Sequence, residues 1–143
     1  MKKLVLLFVI LITAQAGFCA SDKMVALKKM NDSYKAQYQI CLNVSRNFKL
    51  DSTMSIFIKN ECVLYQVRRQ KTLPLLFPLT SANGDEYKNN REILQSEYAI
   101  KMDKDFISNL KTIATDYCKA NKYRYIKKKS DACTKIDSLF PDF

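Results

Sequence analysis

The chain has no histidine and no tryptophan, and its 143 residues include only two glycines, Gly17 and Gly84, and three prolines, Pro74, Pro78 and Pro141. Without histidine there is no side chain whose ordinary pKa lies near neutrality. The usual general base is therefore missing, and with it every Ser-His-Asp or Cys-His arrangement. The commonest zinc ligand is missing too. A phosphate-cradling G-x-x-x-x-G-K loop or a dinucleotide-binding G-x-G-x-x-G needs glycines at close spacing, and Gly17 and Gly84 are far apart. An all-β domain of this length needs many turns, which lean on Gly, Pro, Asn and Asp. The scarcity of glycine predicts helices.

Carboxylates remain available, because a pair of acids at suitable separation is enough for some hydrolytic chemistry. Asp103 and Asp105 are near neighbours, and Glu61 lies in a helical stretch. Asp103 reads better as a helix N-cap and Glu61 as a charge on a helix face. The chain is expected to be non-enzymatic, with no cofactor and no metal site.

The N-terminus carries an export pattern. Lys2 and Lys3 precede an uninterrupted apolar run at 4–12 (LVLLFVILI), and mostly small residues fill 13–20. A cationic start, a short apolar core and small residues at a cleavage point mark a secretory signal. A membrane-spanning helix needs about 20 apolar residues, so the run is too short to stay as an anchor. Ala14-Gln15-Ala16 offers one cut, and cuts after Cys19 or Ala20 are alternatives. Phe18 before Cys19 does not suit lipidation of that cysteine. The expected organisation is a signal peptide at 1–20 and one secreted domain at 21–143, either extracellular or, as the alternative, periplasmic.

The later cut suits the cysteines. Of Cys19, Cys41, Cys62, Cys118 and Cys133 it leaves four, an even number for an oxidising compartment. Cys41 and Cys62 lie about equally far from a turn near Asp51, and Cys118 and Cys133 flank a bend around 123–128. Antiparallel hairpins would bring each pair together, which favours Cys41–Cys62 and Cys118–Cys133 among the three connectivities. There is no C-x-x-C and no clustered ligand set, so the cysteines read as structural.

Apolar residues at Leu27, Met30, Tyr34, Cys41 and Val44 make a helical stripe over 24–47. Asp51, Ser52 and Thr53 offer N-cap chemistry for a second helix to about residue 70. Met54, Phe57, Ile58, Cys62 and Tyr65 line one side of it, and it is apolar around so much of its girth that a central place is expected. Pro74 and Pro78 predict an extended segment over 72–84 (TLPLLFPLTSANG), packed on the helices through its leucines, with an exposed apolar docking loop as the alternative. A third helix is expected over 85–100 and a fourth from an Asp103 cap, with Phe106, Leu110, Ile113 and Tyr117 as its stripe. A last helical segment runs from 122 to Pro141. The fold class is all-α: a single disulfide-stapled bundle of four to five helices with one Pro-containing extended segment.

The charge is strongly basic, with 24 Lys and Arg against 14 Asp and Glu; loss of Lys2 and Lys3 reduces +10 to +8. For an exported chain this points to an anionic surface or ligand or to a protein partner rather than to nucleic acid. The densest cluster is KANKYRYIKKK at 119–129, where Lys119, Lys122, Arg124, Lys127, Lys128 and Lys129 surround Tyr123 and Tyr125. Such a patch combines anion-pairing groups with flat contact area and is the candidate partner-binding site. Arg68, Arg69 and Lys71 form a smaller basic group. Asn31 and Asn43 head N-x-S triplets, which matter only in a eukaryotic secretory route. Binding protein is the leading expectation. A periplasmic immunity protein or inhibitor, and a cationic toxin-like protein, are the alternatives.

Overall fold

The computed structural model describes residues 2–49, 51–80, 84–121 and 131–142, with side chains described from residue 22 onward except that of residue 131. The side chains of 1–20, where a leader is expected, and with them that of Cys19, lie outside those described. Three long helices, α1 (Lys2–Asn47), α2 (Ser52–Leu76) and α3 (Gly84–Ala120), are followed by two single-turn helices, α4 (Asp131–Thr134) and α5 (Ile136–Leu139). Among the described residues there is no strand.

The α1–α2 corner follows from local chemistry. The α1 ladder ends when the Phe48 amide bonds to the Val44 carbonyl, and the Asp51 amide then closes a tight turn on the Phe48 carbonyl at 2.8 Å. Asp51 is extended and caps α2, its Oδ1 accepting from the Met54 amide at 3.1 Å. That satisfies one of the donors that a helix start leaves orphaned. Ser45 and Ser55 bring the two helices together beyond the corner, the Ser55 hydroxyl donating to the Ser45 carbonyl.

Two sequence expectations about boundaries are corrected. First, α2 does not stop near residue 70 but runs through Pro74 to Leu76. Pro74 sits in the last turn, where a missing N–H costs one ladder bond, and the Phe77 amide restores a terminal bond to the Leu73 carbonyl. The extended segment shrinks to a stretch beginning at Phe77. Of its described apolar residues only Leu73 is buried; Phe77 is half-buried against Tyr98, and Leu75, Leu76 and Leu79 face solvent. Polar bonds pin the segment instead: Arg91 Nε donates to the Phe77 carbonyl at 2.9 Å, and the Tyr87 hydroxyl to that of Pro78. Second, the expected third and fourth helices are one, α3. No proline or glycine interrupts 85–120. Asp103 does not cap anything, because its carboxylate has partners on other helices. Gly84, at φ +83°, starts α3 where a side chain would be strained, and Asp85 and Glu86 in the first turn complement the helix dipole.

The main core is built from Ile40, Cys41, Val44 and Phe48 of α1, Met54, Ile58 and Cys62 of α2, and Ile107, Leu110 and Ala114 of α3. Ala132, Leu139 and Phe140 close its lower end. Each fully buried large side chain, Phe48, Ile58 and Leu110 among them, contributes about 1.5–3 kcal/mol. Disulfides join Cys41 to Cys62 and Cys118 to Cys133, with Cα–Cα distances of 6.2 and 5.6 Å. These are the two pairings that the spacing favours, while the bend expected around 123–128 lies outside the described residues. With sequence separations of 21 and 15, each constrains the unfolded chain by roughly 3 kcal/mol.

Candidate functional site

The basic segment singled out in the sequence is only partly placed. Lys122, Tyr123, Arg124, Tyr125, Lys127, Lys128 and Lys129 lie outside the described residues. Lys119 stands on the last turn of α3, exposed, with its Nζ 3.6 Å from Asp116. The smaller group at 68–71 divides. Arg68 and Lys71 are at the surface, whereas Arg69 turns into the core.

Arg69 enters the core because Asp103 is there. Asp103 has no exposed surface, and its carboxylate gathers four donors from two other helices. Ser33 Oγ of α1 donates to Oδ2 at 2.8 Å. The Tyr65 hydroxyl donates to Oδ1, and Arg69 grips both oxygens, Nε to Oδ1 at 2.8 Å and Nη2 to Oδ2 at 3.2 Å. The arginine head also lies 5.0 Å from the centre of the Tyr34 ring, and Tyr65 stacks on Phe106 at 4.1 Å. Burial, then the hydrogen bond to Asp103 and that carboxylate's charge, push the Tyr65 phenol far above its usual range; Arg69 works weakly the other way. The node ties α1, α2 and α3 together at one level. Asp105, two residues on and exposed, points away from it, so the two carboxylates form no pair.

A buried charge needs this many partners, since an unpaired one is far costlier than the pair. With four donors engaged and no solvent contact, Asp103 is committed to joining helices. Asp51 plays a smaller version of the same role, capping α2 through Oδ1 while Oδ2 accepts from the Tyr117 hydroxyl at 2.8 Å. Among the described residues no cluster of three or more cysteines and carboxylates could hold a metal ion. Four open grooves of 320–400 Å³ mark the surface of α1, α3 and the C-terminal turns. None of these four is a closed apolar cavity.

The outer face of α2 is different. The core face carries Met54, Ile58, Cys62, Tyr65, Arg69 and Leu73, and the expectation that the helix is central fails on the opposite side. There Ile56, Val63 and Val67 form one row and Phe57 and Leu64 a second, separated only by Thr53 and Asn60. These five side chains are between 36% and 58% exposed. At 100° per residue they occupy an arc of about 120° containing no charge from residue 53 to 67. Leu75, 80% exposed, extends the second row. Lys59 borders the arc on one side, Arg68 and the half-buried Glu61 on the other, and Lys71 closes its C-terminal end. The sequence signal for this face is the two-sided apolarity of α2, which does not say that only one side is covered.

Among the described residues these features define a class only: a cross-linked helical bundle with a sealed polar node and an uncovered apolar face on α2. No family model matches the chain, and no curated protein or solved structure is significantly similar to it.

Proposed function

We propose that this chain is a non-enzymatic binding protein working outside the cytosol, which holds a protein partner or an anionic surface through cationic and apolar surface groups. The observation that carries the reading is the outer face of α2. Monomeric proteins leave few contiguous apolar patches of several hundred Å² uncovered, and those they leave mark contact surfaces. Here the patch sits on a helix whose other face is anchored by the Cys41–Cys62 bridge and by the Tyr65–Asp103–Arg69 node, so it is presented rigidly. The basic segment 119–129 adds the charge that an anionic partner requires. Two disulfides suit an oxidising compartment, and no helix among the described residues is long and apolar enough to cross a membrane.

A binding role rather than catalysis is supported by the engagement of Asp103 and by the lack of histidine. The test is photo-crosslinking in the native compartment, with the reactive group placed at Val63 or at Tyr125. Adducts from either position, absent when the group is placed at the exposed Asn109 of α3, are expected. An exported, oxidised protein that yields no adduct from either site overturns the proposal.

A further inference from the structure

We infer that the outer face of α2 is an interfacial membrane-docking ridge that lies on an anionic lipid surface. This rests on the binding role proposed above and names the occupant of that face. Three observations select it. The first is shape. The face is the outside of a helix of 25 residues, about 37 Å long at 1.5 Å per residue. The four described grooves are lined by other elements. A convex ridge suits a surface that deforms around it, whereas a protein partner would have to provide a matching groove.

The second observation is the arrangement of charge. An interfacial helix has an apolar arc flanked by Lys and Arg, whose long stems reach outward to headgroup phosphates. Lys59 and Arg68 occupy the two flanks here and Lys71 the C-terminal end, all exposed, against the single acid Glu61. Pairing with a second copy would bring these cations together around an apolar seam. Lipid phosphates neutralise them. The whole chain is also basic, at +10 with the leader and +8 without it, so the long-range field draws it to an anionic leaflet.

The third is the apolar extension past the helix body. Leu75 and Leu79 are 80% and 81% exposed, the highest values among the described large apolar side chains. Leu75 continues the second row along α2, and Leu79 stands exposed just past the helix end, where the Phe77 and Pro78 carbonyls are held by Arg91 and Tyr87. The segment is thus fixed by polar bonds while its leucines point to solvent. Apolar insertion of about 5–10 Å and headgroup pairing can then occur together.

The absence of tryptophan makes the test clean. Val63→Trp places one indole on the ridge, and Asn109→Trp places one on α3 as the control. The oxidised protein recovered after export is mixed with vesicles of phosphatidylcholine alone, or of phosphatidylcholine with about one-third phosphatidylglycerol. With the anionic vesicles the emission of the ridge indole is expected to shift to the blue and become shielded from aqueous quenchers, while the control indole on α3 stays water-like. Lys59→Gln together with Lys71→Gln should weaken partitioning roughly tenfold or more, and ~1 M salt should do the same. These two substitutions are on exposed positions, so retained melting and intact bridges show that the fold is unchanged. Failure to bind anionic vesicles overturns the inference. So does equal binding to neutral vesicles, or binding in which the ridge indole remains exposed to water. If vesicle binding fails while Val63 or Tyr125 crosslinks to a protein, the membrane assignment falls and the binding role stands; if vesicle binding and both crosslinks fail, both fall.

Discussion

Replacing Asp103 by alanine removes the acceptor for four hydrogen bonds at once. Ser33 is half-buried and can turn to water, so its loss is small. Arg69 cannot: its side chain is 11% exposed, and without the carboxylate it is a cation held in the core. Breaking one member of a buried pair costs about 3–5 kcal/mol. The Tyr65 hydroxyl, left without its acceptor, adds about 1 kcal/mol. The total, about 4–6 kcal/mol, is a large part of what a domain of this size has. Urea unfolding with both disulfides intact reads it directly. At a slope of about 2 kcal/mol per molar, the midpoint should fall by roughly 2–3 M. The partner experiment separates charge burial from packing. Arg69→Met alone should also destabilise strongly, but Asp103→Leu with Arg69→Met should recover most of the loss, because apolar replacement of a whole buried pair is close to neutral. A loss below about 1 kcal/mol for Asp103→Ala, or additive losses in the double variant, would refute the view that this node clamps the three helices.

Tyr65 makes the node sensitive to alkali. Its phenol is held protonated in the folded state far above the value of about 10 that it has in the unfolded chain. Its contribution is therefore complete below about pH 10 and declines as pH rises further, because only the unfolded chain releases the proton there. The stability gap between the native protein and Tyr65→Phe, measured by urea unfolding at about pH 8 and above about pH 10, should narrow with rising pH; a constant gap argues against a protonated buried phenol. Gln37 is fully buried, with Nε2 on Cys41 Sγ and Oε1 meeting no donor among the described residues. Gln37→Met should stabilise by about 1 kcal/mol, seen as a melting temperature raised by a few degrees, and a fall would show that the amide is better satisfied than that. Asp51→Ala should cost about 2 kcal/mol, for the α2 cap and for the acceptor of Tyr117, with Asp51→Asn losing distinctly less; equal losses would rule out the cap as the main term.

What can be read from the sequence is what periodicity and short-range chemistry encode. The α1 stripe from Tyr34 through Cys41 to Val44, the Asp51 start of α2 and the symmetric placement of Cys41 and Cys62 about that corner are all local patterns. Pro74 misleads because a proline tells where one ladder bond is lost, and in a last turn that loss is tolerated. Asp103 misleads for the opposite reason. Locally it looks like a cap, and only the approach of Ser33, Tyr65 and Arg69 from 34 to 70 residues away gives its carboxylate a different task. The uncovered face of α2 is hidden in the sequence because composition does not distinguish a helix buried on all sides from one with two apolar faces and a single neighbour layer. The basic segment is legible as charge, and its part in binding stands as a proposal, since the aromatic and cationic side chains at 122–129 fall outside the described residues.

That this is an exported, cross-linked helical domain is tested most directly by mass mapping of the unreduced protein recovered from its native compartment. The expected result is an N-terminus beyond Cys19 and two linked peptide pairs, one joining Cys41 to Cys62 and the other Cys118 to Cys133. A chain that still begins at Met1, with those four thiols free, would contradict it.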